Sequence, residues 1–270
     1  MPIAEQGPQH ARPSAAKAID LAQRFQEVRA ATLRLAAPLS PEDQCVQSMP
    51  DASPAKWHLA HTTWFWETFL LAPHLPGYGR FDARYGYLFN SYYEAIGERH
   101  PRPHRGLLTR PSADEVAAYR RHVDDAMQRL LEGGAPGLAP LIELGLAHEE
   151  QHQELLLMDI LHLFAQSPLR PAYSRAPEGL GADPGPLRFV DIEGGVVRIG
   201  HEGDGFAFDN EGPAHEVLLQ PYRLADRLVT NAEWLAFMQD DGYGRPDLWL
   251  ADGWALAQAE GWRAPLYWFE

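Results

Sequence analysis

The chain has 270 residues, of which 45% are hydrophobic and 22% charged, with a formal net charge of −14. This composition excludes a mostly disordered, collagen-like or disulfide-scaffold protein, and the negative charge disfavours nucleic acid and anionic membranes as partners. Cys45 is the only cysteine, and there is neither a signal-peptide core nor a run of about 18 apolar residues. We therefore expect a folded, cytoplasmic protein without a membrane span.

The first two predicted elements are helices. Apolar residues recur with helical spacing from Ala18 until Pro38, which ends the first helix. The second is predicted from Ser53 to Pro73, with Ser53 as N-cap and Pro54 at the first helical position. This second helix is rich in tryptophan and histidine.

Two further helices follow a long connection. Ser112 and Glu115 form a capping box at the start of the third helix, which a Gly-Gly pair ends. The fourth begins after Pro136 or Pro140 and continues until Ser167. Four helices in this order predict an up-down bundle with one long crossover between the second and third.

A second part of different character follows the bundle. We predict a helical domain over residues 1–170, a Pro/Gly-rich linker over 171–186 and an α+β domain over 187–270. The segments LRFVDIEGGVVRIG and HEVLLQPYRLAD predict short strands, and NAEWLAFMQD predicts a short helix. The pattern stops at the aromatic run PLYWFE, so we expect this second domain to be incomplete. The expected fold class is α+β in two parts.

Histidines on two of the helices suggest a metal site. His148 and His152 in HEEQH are four residues apart, so both rings project from one helical face, and the leucines around them disfavour a solvated histidine pair. His61, in WHLAHTTWFW on the second helix, is the predicted third ligand. His58 is expected to support the site or lie on the helix surface. Three imidazoles leave several coordination positions open.

HEEQH also matches the zinc peptidase pattern, in which Glu149 would be the general base. The extended pattern fails, because Leu155 and Met158 stand where a glycine and a third histidine are required. Peptidase activity is therefore the less favoured interpretation.

Four longer segments resemble one enzyme family. WHLAHTTWFWETFLL, YLFNSYYEAIGERHPRPHRGLLTRPS and HEEQHQELLLMD, and in the second part FDNEGPAHEVLLQPYRLADRLVTNAEWLAFMQDDGYGRPDLWLADGW, resemble the ergothioneine-biosynthesis sulfoxide synthases. Those enzymes pair a DinB-like four-helix bundle with a domain similar to the formylglycine-generating enzyme, which is C-type-lectin-like. They hold a non-haem Fe(II) and use O2 to join the sulfur of cysteine or γ-glutamylcysteine to C2 of hercynine, giving a sulfoxide. The resemblance implies that His61, His148 and His152 hold the iron.

The resemblance implies roles for five more residues. Gln151 would contact the hercynine imidazole, and a phenol of Tyr92 or Tyr93 would supply a proton. Arg102 and Arg105 would bind the carboxylate of an amino-acid substrate. Judged without the family, the glutamine would be an exposed polar residue, the tyrosines packing residues and the arginines surface charges.

Three functions stay open at this point. The chain is a sulfoxide synthase, a DinB-like metal-dependent thiol transferase or hydrolase that uses the bundle alone, or a metal-binding protein without catalysis. The segment FNSYY and the formylglycine-enzyme-like sequence favour the first, because a free-standing bundle requires neither. Three histidines do not distinguish iron from zinc. The segments YYEAIG and HPRPHRG resemble the cysteine-using branch of the family.

Overall fold

The structure is a computed structural model that describes residues 21–91, 97–135, 137–174 and 184–269. The chain divides into two compact units, Met1–Arg175 and Ala176–Glu270. The first unit is helical and the second contains small sheets, which is the predicted two-part α+β fold class. No helix among the described residues is long and apolar enough to cross a bilayer.

Among the residues described, four long helices form the N-terminal unit. Its described helical elements are α1 (Leu21–Ala36), a 3-10 turn (Asp43–Cys45), α2 (Ala55–Phe65), a π-helical segment (Trp66–Leu71), α3 (Ala72–His74), α4 (Tyr85–Phe89), a second 3-10 helix (Arg102–Leu107), α5 (Ala113–Glu132) and α6 (Ala139–Gln166). Both α5 and α6 pack against α1 and also against α2, so the four helices close a ring. The predicted long crossover runs from α3 to α5.

The third and fourth helices agree with the sequence prediction. Ser112 and Glu115 form the predicted capping box on α5, with Gly133 at the C-cap. Helix α6 begins close to the predicted prolines and ends before Ser167. Both boundaries depend on local capping and proline chemistry, which explains why the sequence was sufficient.

Helix α2 is buried along its whole length. It contacts α5 and α6, and also α4 and the 3-10 turn before it. Trp64 and Trp66 are fully buried in the main core of this unit. Because α2 has no solvated face, its histidines must find partners inside the protein.

The start of α2 differs from the prediction. Ser53 is not the N-cap: Pro54 occupies that position, and no side chain caps the helix. The Ser53 hydroxyl instead accepts a hydrogen bond from Arg105 Nη1 at 2.9 Å. Its backbone N–H donates to Asp159 Oδ2 at 2.8 Å. Partners that are distant in sequence have thus replaced the local cap.

The end of this helix also differs, since the helix becomes π-helical over Trp66–Leu71 rather than continuing as α-helix. Glu67 in this segment is buried and accepts hydrogen bonds from the hydroxyls of Tyr78 at 2.7 Å and Tyr119 at 2.8 Å. These bonds tie the crossover and α5 to the helix. Neither partner is visible in the local sequence pattern.

Over its described residues, the C-terminal unit contains two separate two-stranded antiparallel sheets. Its described elements are β1 (Phe189–Ile192), β2 (Gly195–Ile199), a 3-10 turn (Asp209–Glu211), β3 (His215–Leu219), β4 (Tyr222–Ala225), α7 (Asn231–Gln239), two more 3-10 turns (Gly242–Gly244 and Pro246–Leu248) and α8 (Ala251–Ala259). Strand β1 pairs with β4, and β2 pairs with β3. The predicted strands and α7 are confirmed. Helix α8 was not predicted from the sequence.

Helix α6 passes close to α2 at Gly145. A Cβ atom there would lie 2.6 Å from Trp66 Cη2 and 3.0 Å from Phe65 Cε1. We expect Gly145→Ala to lower the free energy of unfolding by about 1–2 kcal/mol, because overpacking outweighs the gain that alanine normally brings to a helix. Urea denaturation followed by circular dichroism measures this. In the control Gly253→Ala the nearest atom would be 3.6 Å away, so stability should not fall; a stabilised Gly145→Ala would contradict the close packing.

Candidate metal centre

Three histidine rings meet between α2 and α6. One ring nitrogen each of His61, His148 and His152 lies within 4.8 Å of the other two. His61 Nε2 is 3.2 Å from His148 Nε2. Over the described part of the chain, no other group of three or more histidine, cysteine or acidic side chains meets this criterion. The structure thus brings together the three residues that the sequence nominated as ligands.

Two of these rings are held by their outer nitrogens. His61 Nδ1 is 2.6 Å from the carbonyl oxygen of Phe89. A carbonyl only accepts, so Nδ1 carries the proton and Nε2 keeps its lone pair. His152 Nδ1 lies 2.9 Å from His58 Nδ1. His148 Nδ1 is buried and has no hydrogen-bond partner among the residues described.

Burial lowers the pKa of all three histidines, in the case of His148 to about 4. Repulsion from neighbouring histidines lowers the pKa values of His61 and His152 further. The rings are therefore neutral at pH 7, which is the form that binds a metal. Three neutral imidazoles around one point are a donor set for a divalent transition metal, so the residues fit such an ion.

The His61 ring is stacked on an aromatic ring, which in turn packs against a guanidinium group. The Trp57 ring stacks on His61 with the centroids 4.5 Å apart and the planes 12° from parallel. The guanidinium of Arg105 lies 3.4 Å from the centre of the Trp57 ring. Its two terminal nitrogens donate to the hydroxyls of Ser53 and Ser91. Arg105 is only 5% exposed, so the alternative of a surface charge is wrong for this residue.

A cavity of about 560 Å³ opens at the three histidines. Its lining includes Trp57, Leu155 and all three described residues for which a substrate contact was predicted, namely Gln151, Arg102 and Arg105. The volume suits a ligand of amino-acid size or somewhat larger. Metal-binding and substrate-binding candidates therefore share one cavity. Tyr92 and Tyr93, the predicted proton donors, lie outside the described residues.

His58 is buried rather than on the helix surface, so that alternative was wrong. Its Nε2 lies 2.9 Å from Asp159 Oδ2, while its Nδ1 faces His152. Burial lowers the pKa of His58 more than Asp159 raises it. Sequence reasoning missed Asp159, although it lies seven residues after His152 and so shares its helical face.

The side chain of Glu149 does not line the cavity, although Glu149 is the next residue after His148. Its oxygens accept hydrogen bonds from Arg29 at 3.0 Å, Arg120 at 3.1 Å, Thr32 at 2.7 Å and Trp66 at 2.9 Å. Burial alone would raise its pKa, but the two arginines, together with the hydrogen bonds from Trp66 and Thr32, lower it to about 2. A carboxylate so fully engaged cannot activate a water at the histidines, which argues against the peptidase interpretation.

Comparison with known proteins agrees with both halves of the chain. Residues 24–156 match the DinB superfamily, and residues 183–266 match the sulfatase-modifying factor enzyme 1-like domain. The chain is 31% identical over 253 residues to the hercynine oxygenase of Mycolicibacterium thermoresistibile and 32% identical over 250 residues to that of Mycobacterium tuberculosis.

Each of these alignments covers 92% of this chain, but only 54% and 57% of the respective relative. The chain thus spans about half the length of the curated relatives it matches. The resemblance predicted from the motifs is confirmed over most of the chain.

Proposed function

We propose that this relative of the hercynine oxygenases is a non-haem Fe(II)- and O2-dependent sulfoxide synthase of ergothioneine biosynthesis. Its substrates would be hercynine and cysteine or γ-glutamylcysteine. The observation that carries the proposal is one cavity lined by three neutral histidines and by Gln151, Arg102 and Arg105. The relatives support hercynine as a substrate, whereas the choice of iron rests on the family resemblance, since imidazole suits several divalent metals.

Bound Fe(II) would supply a site for O2, which would accept the electrons that the two substrates lose when the C–S and S–O bonds form. The chain itself would hold the ion through His61, His148 and His152, with the lone pair of the His61 Nε2 directed inward by the Phe89 carbonyl. Three protein ligands leave coordination positions for substrates.

The polar residues of the cavity would orient the substrates. Arg105 is held over Trp57 and by two serine hydroxyls before any ligand arrives, so little side-chain entropy is lost on binding. Together with Arg102 it would attract the carboxylate of the thiol substrate. Gln151 is exposed in the cavity and would hydrogen-bond the hercynine imidazole. We assign the proton-donor role to Tyr92 or Tyr93, which directly follow the cavity residue Ser91 in sequence.

One observation favours a second candidate. Every residue that lines this cavity lies in the N-terminal unit. A DinB-like metal-dependent thiol transferase or hydrolase would need only this unit, and it would use zinc as readily as iron. A metal-binding protein without catalysis is the third alternative.

The test is anaerobic reconstitution with Fe(II), followed by aerobic incubation with hercynine and either thiol, with mass spectrometry as the readout. We expect a sulfoxide conjugate that disappears in His148→Ala and persists in His162→Ala, since His162 is on the same helix but bonds to Ser48 instead. Thiol turnover with zinc and without hercynine would favour the second candidate. Histidine-dependent iron binding without any turnover would contradict the synthase.

A further inference from the structure

A chain of hydrogen bonds runs outward from one of the candidate ligands. His152 Nδ1 lies 2.9 Å from His58 Nδ1, and His58 Nε2 lies 2.9 Å from Asp159 Oδ2. His58 is 2% exposed, and the Asp159 side chain is 15% exposed. We call these three residues the histidine relay. It spans two helices, since His58 is on α2 and the other two residues are on α6.

The acceptor at its end sets the direction of the relay. A carboxylate only accepts, so His58 Nε2 must donate to Asp159. A neutral His58 then carries a lone pair on Nδ1, and His152 Nδ1 must donate to it. A neutral His152 with its proton on Nδ1 has its lone pair on Nε2, the nitrogen left for a metal.

We propose that His58 and Asp159 are positioning residues, which hold His152 in the Nδ1–H tautomer and in the ring orientation that makes Nε2 the metal ligand. The metal-binding part of this inference rests on the proposed function. Partners of this kind fix the ring and raise the basicity of a ligand histidine, and their loss typically lowers metal affinity about 10- to 100-fold.

Among the three candidate ligands, His152 is the one whose tautomer can be tested by substituting the side chain that holds its outer nitrogen. The outer nitrogen of His61 bonds to a backbone carbonyl, which no side-chain substitution removes. The outer nitrogen of His148 has no partner among the described residues. Only for His152 does the described structure show a side chain on the outer nitrogen.

Asp159 accepts a second hydrogen bond, which the variants used in the experiment must preserve. The same Oδ2 accepts the backbone N–H of Ser53 at 2.8 Å, just before α2 begins. Removing the carboxylate would therefore disturb the start of α2 as well as the relay. Asp159→Asn retains one oxygen that can accept both hydrogen bonds, while it removes the negative charge and replaces the other carboxylate oxygen by an amide NH2 group.

The experiment compares His58→Leu, which removes the relay, with His58→Gln, whose amide can accept from His152 and donate to Asp159. In the metal-free full chain, proton–nitrogen correlation spectra of isotope-labelled histidines report the tautomer of His152. We expect the Nδ1–H form in the native chain and in His58→Gln, and its loss in His58→Leu. Anaerobic Fe(II) affinity, measured against a competing chelator, should fall about 10- to 100-fold in His58→Leu and recover in His58→Gln.

The charge variants give a matched pair on α6. Asp159→Asn should retain the tautomer and lower Fe(II) affinity less than His58→Leu does, whereas Glu154→Gln, an exposed change on the same helix, should alter neither. If His58→Leu fails to fold, the tautomer of His152 in the native chain still decides the inference, since a proton on Nε2 would overturn it.

The outcomes separate the relay from the proposed function. A native His152 with its proton on Nε2, or an unchanged Fe(II) affinity in a folded His58→Leu, would overturn the inference. If the native chain bound no metal but showed the Nδ1–H tautomer, and His58→Leu lost it, the relay would stand and the proposed function would fail.

Discussion

Replacing His148 by alanine should lower the affinity of the chain for Fe(II) by more than about 100-fold. Loss of a residue that only hydrogen-bonds to a ligand already lowers metal affinity about 10- to 100-fold, so removal of a ligand nitrogen itself must lower it more. His61 and His152 would remain, but two imidazoles no longer enclose a site on three sides. Equilibrium competition with a chelator under anaerobic conditions measures the change, and Co(II) absorption reports the geometry of the remaining site.

The control for this variant is His162→Ala. His162 lies on α6 like His148, but its Nδ1 bonds to the Ser48 hydroxyl at 2.7 Å and it does not line the cavity. Its loss should leave Fe(II) affinity within about two-fold of the native value, as expected for a site whose ligands and their partners are untouched. Native-like affinity in His148→Ala would show that the metal is held elsewhere.

Glu149→Gln should lower the free energy of unfolding by about 3–5 kcal/mol at pH 7, the usual cost of removing one partner from a buried ion pair. The variant would leave the guanidinium groups of Arg29 and Arg120 buried together without the carboxylate between them. Asp124 would still compensate the charge of Arg29 in part, because Asp124 Oδ1 lies 2.6 Å from Arg29 Nε. Urea denaturation followed by far-ultraviolet circular dichroism measures the loss.

The neighbouring substitution Glu150→Gln is the matched control. Glu150 is exposed, so its replacement should change stability by less than about 0.5 kcal/mol. Equal effects of the two substitutions would show that the buried network around Glu149 does not stabilise the bundle.

The same network predicts a pH dependence. Glu149 has a folded-state pKa of about 2, below the value of about 4.3 expected in the unfolded chain. Its stabilising contribution is therefore complete above pH 4.3 and is lost as the pH falls toward 2. In this window the native chain should lose stability with acid more steeply than Glu149→Gln. Parallel pH profiles of the two proteins would contradict the assignment.

The buried network also helps to aim the candidate ligands. Glu149 directly follows His148, so its side chain points about 100° away around α6. Arginines from α1 and α5 hold it there, with Trp66 as a further donor. We expect this anchoring to limit rotation of α6 and so to keep His148 and His152 directed into the cavity. Glu149→Gln should consequently weaken Fe(II) binding even though Glu149 is not a ligand.

What the sequence determined by itself is what local periodicity and capping encode. The spacing of His148 and His152 places both on one helical face in any α-helix, and Ser112 with Glu115 starts α5 wherever it packs. The histidine-rich second helix could be identified in the same way, and its His61 joins the other two. The two-part fold class followed from the change in pattern after the bundle.

The tertiary structure decided everything that depends on partners far apart in the chain. It brought Asp159 and His58 into a hydrogen-bonded chain with His152 and stacked the Arg105 guanidinium on the Trp57 ring. It also paired the Glu149 carboxylate with two buried arginines. It also replaced the expected Ser53 cap with bonds from distant residues. Such contacts are set by how helices pack after distant parts of the chain meet, and the local pattern around each residue does not encode them.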